Sequence, residues 1–356
     1  MEINKKFWKG RKVLITGHTG FKGSWLSLWL QSLEVNLFGI ALPPSDGLSL
    51  FKSANVSNLM EHNILDIRNY IELQKLFDEI RPQIIFHMAA QPLVRKSYRD
   101  PIETFQTNIL GTANVLEASR HCNSVKAIVN ITTDKCYENT NIIWGYREDD
   151  RMGGYDPYSS SKACAELISA AYRNSFLREE GISMATARAG NVIGGGDWSD
   201  DRLLPNILNS LEKDEDIYIR NPNAVRPWQH VLEPLSGYIV LAEKLYSDGK
   251  NFSEAWNFGP NDDDAKSVSW IVENMINNWN SNNKWQIQQG DHPHEASYLK
   301  LDISKAKKFL DWQPQWNLNE ALNKIIEWHS AFLSKENMRN KSLEQINIYS
   351  KLISKK

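Results

Sequence analysis

Tyr158 and Lys162, in the run Tyr158-Ser-Ser-Ser-Lys162, are a phenol and an amine four residues apart, one turn of a helix. A phenol with a pKa of about 10 is a poor base at neutral pH, but a nearby positive charge stabilises its phenolate. Such a pair can take a proton from a sugar or alcohol hydroxyl while hydride leaves the carbon. Taken alone, the spacing more often marks an exposed helix face. Here it lies one helix after Thr133-Asp134-Lys135, and that setting favours chemistry.

The acceptor for such a hydride is suggested by Val13-Leu-Ile-Thr-Gly-His-Thr-Gly-Phe-Lys-Gly23. Val13 to Ile15 reads as a buried strand, and Leu26, Trp29, Leu30 and Leu33 repeat at helical spacing on one face. Strand, glycine turn and helix are the context of a dinucleotide-binding site. Gly17 permits the tight turn, Gly20 lets the backbone approach a pyrophosphate, and Gly23 lets helix and strand pack closely. The helix N-terminus adds free N–H groups for an anion. The spacing is GxxGxxG rather than GxGxxG, so the general fingerprint fits loosely.

The elements that must position these groups alternate. Strands are predicted near 37–42, 84–88, 127–132 and 184–189, with a further apolar-polar segment ending in Ile64-Leu-Asp66-Ile67-Arg68. Helices are predicted over 70–80, from Asn108 to Ala118 and around 161–172. This rhythm predicts an α/β fold, a doubly wound parallel sheet covered on both faces. Ligands then bind beyond the carboxyl ends of the strands, where Gly17–Gly23, Ala89-Ala90-Gln91 and Thr133-Asp134-Lys135 collect. After Gly190 the rhythm breaks. Residues 1–190 are expected to form the dinucleotide-binding domain, with returning segments near 229–262. Residues 191–228 and 263–356 are expected to form a smaller mixed α/β substrate lobe.

Composition narrows the class. A formal net charge of −2 gives no general field for nucleic acid or an anionic membrane, and no apolar run approaches a membrane span. Cys122, Cys136 and Cys164 are too few and scattered for a disulfide framework or a zinc site, so no metal is expected. A reduced, cytoplasmic setting follows as the default. His87 lies inside an apolar strand and reads as a core histidine.

Gly17-Gly20-Gly23, Asp66-Ile67, Ala89-Ala90, Asn108 with Gly111-Thr112, and Tyr158 with Lys162, in this order, resemble the extended short-chain dehydrogenase/reductase family. Longer strings resemble its nucleotide-sugar 4,6-dehydratase branch over roughly residues 10–330. They are Gly17-His-Thr-Gly-Phe-Lys-Gly23, Ala89-Ala-Gln-Pro-Leu-Val94, Thr132-Thr-Asp-Lys-Cys-Tyr137, Arg188-Ala-Gly-Asn-Val-Ile-Gly-Gly-Gly-Asp-Trp198 and Val225-Arg-Pro-Trp-Gln-His-Val231.

The resemblance implies a redox-neutral dehydration of a nucleotide sugar, with CDP-glucose the expected substrate. Tyr158, assisted by Lys162 and Thr133, would take the 4-hydroxyl proton as hydride passes from C4 to NAD. The 4-ketone acidifies C5–H, a base removes that proton, and Asp134 protonates the departing 6-hydroxyl. Hydride then returns to C6. The family's better-known members carry glutamate where Lys135 stands. Lys135 is therefore either the C5 base, which requires a lowered pKa, or an ammonium that stabilises the enolate.

By the same resemblance, NAD would be bound by Gly17, Gly20, Phe21, Lys22, Gly23, Asp66, Ile67, Ala89, Ala90, Gln91, Thr107 and Thr132, with Tyr158 and Lys162. The second strand ends without the usual acidic residue, Asp46 being displaced by a turn, and without an arginine for a 2′-phosphate. Thr133, Asn191, Arg202, Pro205, Arg226 and Tyr298 would bind the substrate, with His292 and His294 near its base. The helices near 103–120 and 160–176 resemble the family's dimer bundle, with Ala165, Ala170 and Ala171 allowing close approach, so a homodimer is expected. Two other readings stay open. One is another dehydratase or a 4-epimerase on this scaffold, and the second is an idle NAD-bound regulatory protein.

Overall fold

The computed structural model describes residues 2–290 and 298–354. Seven strands form one parallel sheet: β1 (Lys12–Thr16), β2 (Asn36–Ala41), β3 (Glu61–Ile64), β4 (Ile84–His87), β5 (Ala127–Ile131), β6 (Ser183–Ala189) and β7 (Ala255–Phe258). Their spatial order is β7-β6-β5-β4-β1-β2-β3, so the winding reverses between β1 and β4. The carboxyl ends of those two strands border the crevice where such sheets take their ligands.

The helices that matter are α1 (Phe21–Ser32), α2 (Tyr70–Ile80), α3 (Gly111–Arg120), α4 (Pro157–Tyr172), α5 (Leu203–Glu212), α6 (Leu232–Phe252), α7 (Val268–Trp279), α8 (Leu318–Leu333) and α9 (Met338–Ser354). Strand side chains alternate between two cores, as their two-residue period requires. Leu14, Ile85, Ile128 and Met184 join Leu73, Phe77, Val115 and Leu116 from α2 and α3. Val13, Ile15, Ile84, Phe86 and Val129 join Trp25 and Leu28 from α1 and Leu235 and Ile239 from α6. The central strands are thus apolar on both sides.

Two elements depart from the expected pattern. The predicted one-sided α1 is buried almost all round, from Gly23 to Gln31. Its outer side is covered by α9, where the rings of Tyr349 and Trp29 meet at 5.7 Å and Arg339 donates to Gln31. The helix predicted from Asn108 instead opens with a wide π turn, Gln106–Leu110, before α3. There the Asn108 amide clamps Gln91, accepting from its N–H at 2.8 Å and donating to its carbonyl at 3.0 Å.

A smaller lobe has its own core, with Leu204, Ile207 and Leu208 of α5, Ile271 and Met275 of α7, and Leu322 and Ile325 of α8. Its short strands pair Ile217–Ile219 with Trp285–Ile287, and Val225–Pro227 with Ala265–Ser267. The stretch 263–356, expected in this lobe, divides between the two cores. Leu301, Trp312, Met338, Tyr349 and Ile353 share the core of the large sheet, because α1 and α6 leave an apolar surface that this stretch covers.

Candidate active site

The glycine turn is fixed by contact. Gly17 has φ +80°, and a Cβ there would lie 2.7 Å from the Ala89 nitrogen; one at Gly23 would lie 2.2 Å from the Gly17 carbonyl oxygen. Gly20 differs. It caps α1 without a side-chain bond, and a Cβ would meet only Gly17 O at 3.4 Å, an ordinary contact. The protein's own packing does not demand glycine at 20, so the open side suits a ligand lying over the turn. The first-turn amides of Phe21, Lys22 and Gly23 have no acceptors within the helix. Lys22 is half-buried, and its pKa is lowered to about 7, first by burial and then by the charges of Lys162 and Arg202. A site crowded with cations and free amides fits the pyrophosphate of a dinucleotide.

The neighbouring strand ends are placed around that turn. Thr16 Oγ1 accepts from the amides of Met88 and Ala89, so β1 and β4 end together, with Ala89 and Ala90 half-buried. Asp66 is held by Arg68 through bonds of 2.9 and 2.5 Å, which lower its pKa. Ile67 is buried against Gly111, and its carbonyl accepts from Asn114. Two expected cofactor residues have engaged side chains. Gln91 is spent on Thr104 and Leu93, and the Thr132 hydroxyl turns inward to Glu166. The Gln91 backbone is engaged as well, by Asn108, and the Thr132 amide donates to Ala187. Thr107 lies half-buried on the π turn. His87 is bonded at both ring nitrogens, to Thr16 and Thr112, and burial lowers its pKa to about 3.

The catalytic candidates meet at the ends of β5 and α4. Asp156 caps α4 by accepting from the Ser159 amide at 2.9 Å, and Pro157 follows at the first helical position. Tyr158 therefore stands in the first turn with Lys162 one turn on. Lys162 Nζ donates to the Ile131 carbonyl at 3.1 Å. Thr133, in extended backbone, begins a short 3-10 turn; its hydroxyl donates to Asp134 Oδ1 at 3.0 Å, accepts from the Lys135 amide and lies near enough to Tyr158 to lower its pKa. Burial pushes Tyr158 up to about 12, against the lowering influence of Thr133, and lowers Lys162 to about 8. Ionisation of the phenol is thus opposed by burial in the protein alone. A positive group brought to the site would have to offset it.

The expected substrate residues border the same space. Arg202 pairs with Asp197 at 3.0 Å and lies within electrostatic reach of Tyr158. Pro205 sits in the first turn of α5, which Arg202 caps. Asn191 is half-buried, and its side-chain oxygen has no hydrogen-bond partner. Arg226 is buried on the strand Val225–Pro227, donating to the Val225 carbonyl, and Val225 bridges to Tyr298. His292 and His294 lie outside the described residues.

The sequence reading missed what lies beneath the site. Glu166 follows Lys162 by four residues and is buried, accepting from Thr132, Thr186 and Arg188. Arg188 also donates to Tyr137 at 2.8 Å, and Tyr137 donates to Asn257. This network ties α4 to β5, β6 and β7. Its signal was the spacing 158, 162, 166, one stripe along a helix.

Sheet order, glycine turn and the Tyr158–Lys162 pair define a Rossmann-type dinucleotide-binding protein with a short-chain dehydrogenase/reductase centre. Residues 14–325 match the model of the GDP-mannose 4,6 dehydratase family, and the chain belongs to that family. It is 53% identical over 352 residues to the CDP-glucose 4,6-dehydratase of Salmonella typhimurium, covering 98% of each chain. The dTDP-glucose 4,6-dehydratase of the same organism is 24% identical, over 90% of this chain and 93% of that one. Among solved structures, UDP-glucose 4-epimerase of Thermotoga maritima, with UDP-glucose, superposes with TM-score 0.80 at 21% identity, covering 90% of this chain and 99% of that one. The dTDP-glucose 4,6-dehydratase of Bacillus anthracis, in complex with NAD, gives TM-score 0.78 at 23% identity, over 93% and 100%. These two likenesses bear on the fold.

Proposed function

We propose that this protein is a CDP-glucose 4,6-dehydratase, forming CDP-4-keto-6-deoxyglucose and water with NAD as its cofactor. The observation that carries this reading is the 53% identity along almost the whole of both chains. The convergence of Thr133, Asp134, Lys135, Tyr158 and Lys162 supports it. The glycine turn, Lys22, Asp66–Ile67 and the backbone of Ala89 and Ala90 would hold the cofactor. Bound there, NAD supplies reversible oxidation, accepting hydride from C4 and giving it back at C6.

Tyr158 takes the proton of the 4-hydroxyl, with Thr133 orienting that hydroxyl and Lys162 favouring the phenolate. Lys135 removes the proton of C5 once C4 is a ketone. Asp134 protonates the 6-hydroxyl as it departs. Arg202, Arg226 and Asn191 hold the nucleotide sugar, since guanidinium groups match phosphate oxygens in paired bonds; Pro205 and Tyr298 border it.

The protein is further proposed to work in the cytoplasm, supplying deoxysugars for surface polysaccharides such as O-antigen, as a homodimer. Exposed Leu167 on α4, with Ile102, Leu110 and Phe176 on the segments flanking α3 and α4, supports a helix-bundle interface. Ala165 is buried within its own subunit, so the close approach expected of it is made inside the chain.

The test is incubation with CDP-, dTDP-, UDP- and GDP-glucose. A 4-keto-6-deoxy product from CDP-glucose, without net NADH, is expected; turnover of another nucleotide sugar in its place would refute the assignment. For Lys135, solvent deuterium entering C5 of the product should fall by roughly 100-fold in Lys135→Met. Undiminished exchange would leave the lysine an electrostatic role only.

A further inference from the structure

Counting protons over one turnover of the proposed dehydration singles out Thr133, and the inference rests on that reading. The 4-hydroxyl loses its proton to Tyr158. The 6-hydroxyl takes one from Asp134 and leaves as water. The C5 proton is removed and later replaced, and the hydrogen and electron pair withdrawn at C4 come back at C6. Each turnover therefore leaves Tyr158 one proton too many and Asp134 one too few. The cycle closes only when a proton passes from the first to the second.

The surroundings decide its route. Asp134, Thr133 and Tyr158 are exposed by only 1%, 5% and 8%. Among the described residues, Thr133 is the one group bonded to the Asp134 carboxyl, at 3.0 Å on Oδ1. Oδ2 has no hydrogen-bond partner and is shut in: a Cβ on Gly190 would lie 3.0 Å from it and 2.3 Å from Pro227 Cγ. Tyr238, within electrostatic reach of both Asp134 and Tyr158, is fully buried with its own hydroxyl unpartnered, and gives no exit to solvent. The Thr133 hydroxyl also lies near enough to the Tyr158 phenol to lower its pKa. One hydroxyl, bonded to Asp134, thus lies between the two ends of the imbalance, and a hydroxyl can accept a proton on one side while donating on the other.

We propose that Thr133 relays to Asp134 the proton that Tyr158 takes from O4 of the sugar. The Tyr158 O–H bond breaks as the Thr133 oxygen gains that proton, and the original Thr133 O–H bond breaks as Asp134 Oδ1 is protonated. No electrons change centres. Tyr158 ends as phenolate and Asp134 as the acid, both ready for the next sugar.

Rapid-quench measurement of product in the holoenzyme, with wild type, Thr133→Val and Thr133→Ser equilibrated in buffer before mixing, tests this. In Thr133→Val the ratio of first-turnover to later-turnover rate should rise by roughly tenfold or more over wild type, and Thr133→Ser should restore the wild-type ratio. A purely structural or substrate-orienting role slows first and later turnovers alike. An unchanged ratio in Thr133→Val, or a Thr133→Ser ratio equal to that of Thr133→Val, overturns the relay. A wild type that forms no 4-keto-6-deoxy product from any nucleotide sugar overturns the dehydratase reading itself, and the relay with it.

Discussion

Lys162 and Tyr158 hold their protons in the reverse of the order that the chemistry uses. Burial lowers the lysine to about 8 and raises the tyrosine to about 12, so the pair loses its first proton mainly from the amine. The productive form, phenolate beside ammonium, carries the same number of protons as neutral phenol beside neutral amine. Its share therefore grows as pH rises to about 8 and then stays level, because both forms carry the same number of protons. The expected profile of kcat/KM is a rise to a plateau above pH 8, with no alkaline fall until the tyrosine's own range. Lys162→Arg, which keeps its charge throughout, should move the rise upward by a unit or more. A profile that declines above pH 8 would contradict this order of titration.

At the scale of elements, α4 is seated by a buried ion pair rather than by apolar contact alone. Glu166 and Arg188 are both almost fully buried and meet at 2.8 Å. Burial opposes the Glu166 charge, but Arg188 and the two threonines keep its pKa below the usual value. Glu166→Ala would leave the guanidinium uncompensated beneath the site, a loss of about 3–5 kcal/mol. Denaturant unfolding should show it as a lower midpoint, while Lys162→Met, which removes a charge that burial already disfavours, should cost far less. Equal midpoints for the two variants would mean that the pair does not seat the helix. The glycine turn is similarly rigid, for Gly17 and Gly23 both lie against backbone, which cannot swing aside as a side chain can.

At the scale of the molecule, α9 closes the fold. Met338, Ile346, Tyr349 and Ile353 are buried on the core that includes Trp25 and Trp29, and each such side chain is worth roughly 1.5–3 kcal/mol. Four of them approach the whole stability of a typical domain, about 5–15 kcal/mol. Removing residues 336–356 should therefore abolish cooperative thermal unfolding as well as activity. A truncated chain that kept the wild-type melting temperature would show that α9 is an appendage.

Local spacing and residue type were enough to read the βαβ rhythm, the glycine turn and the Tyr158–Lys162 stripe, since strand and helix periods depend on near neighbours in the chain. Thr133, Asp134 and Lys135 were legible because a parallel sheet brings its strand ends to one edge. Whether a side chain faces the ligand or the core depends on distant partners. Thr132 turned to Glu166, and Gln91 to Thr104, because each could satisfy a buried polar group there. The division of residues 263–356 between the two cores depended likewise on apolar surface that α1 and α6 left bare. So did the balance at Tyr158, where burial, a property of the packed whole, holds the phenol's pKa up.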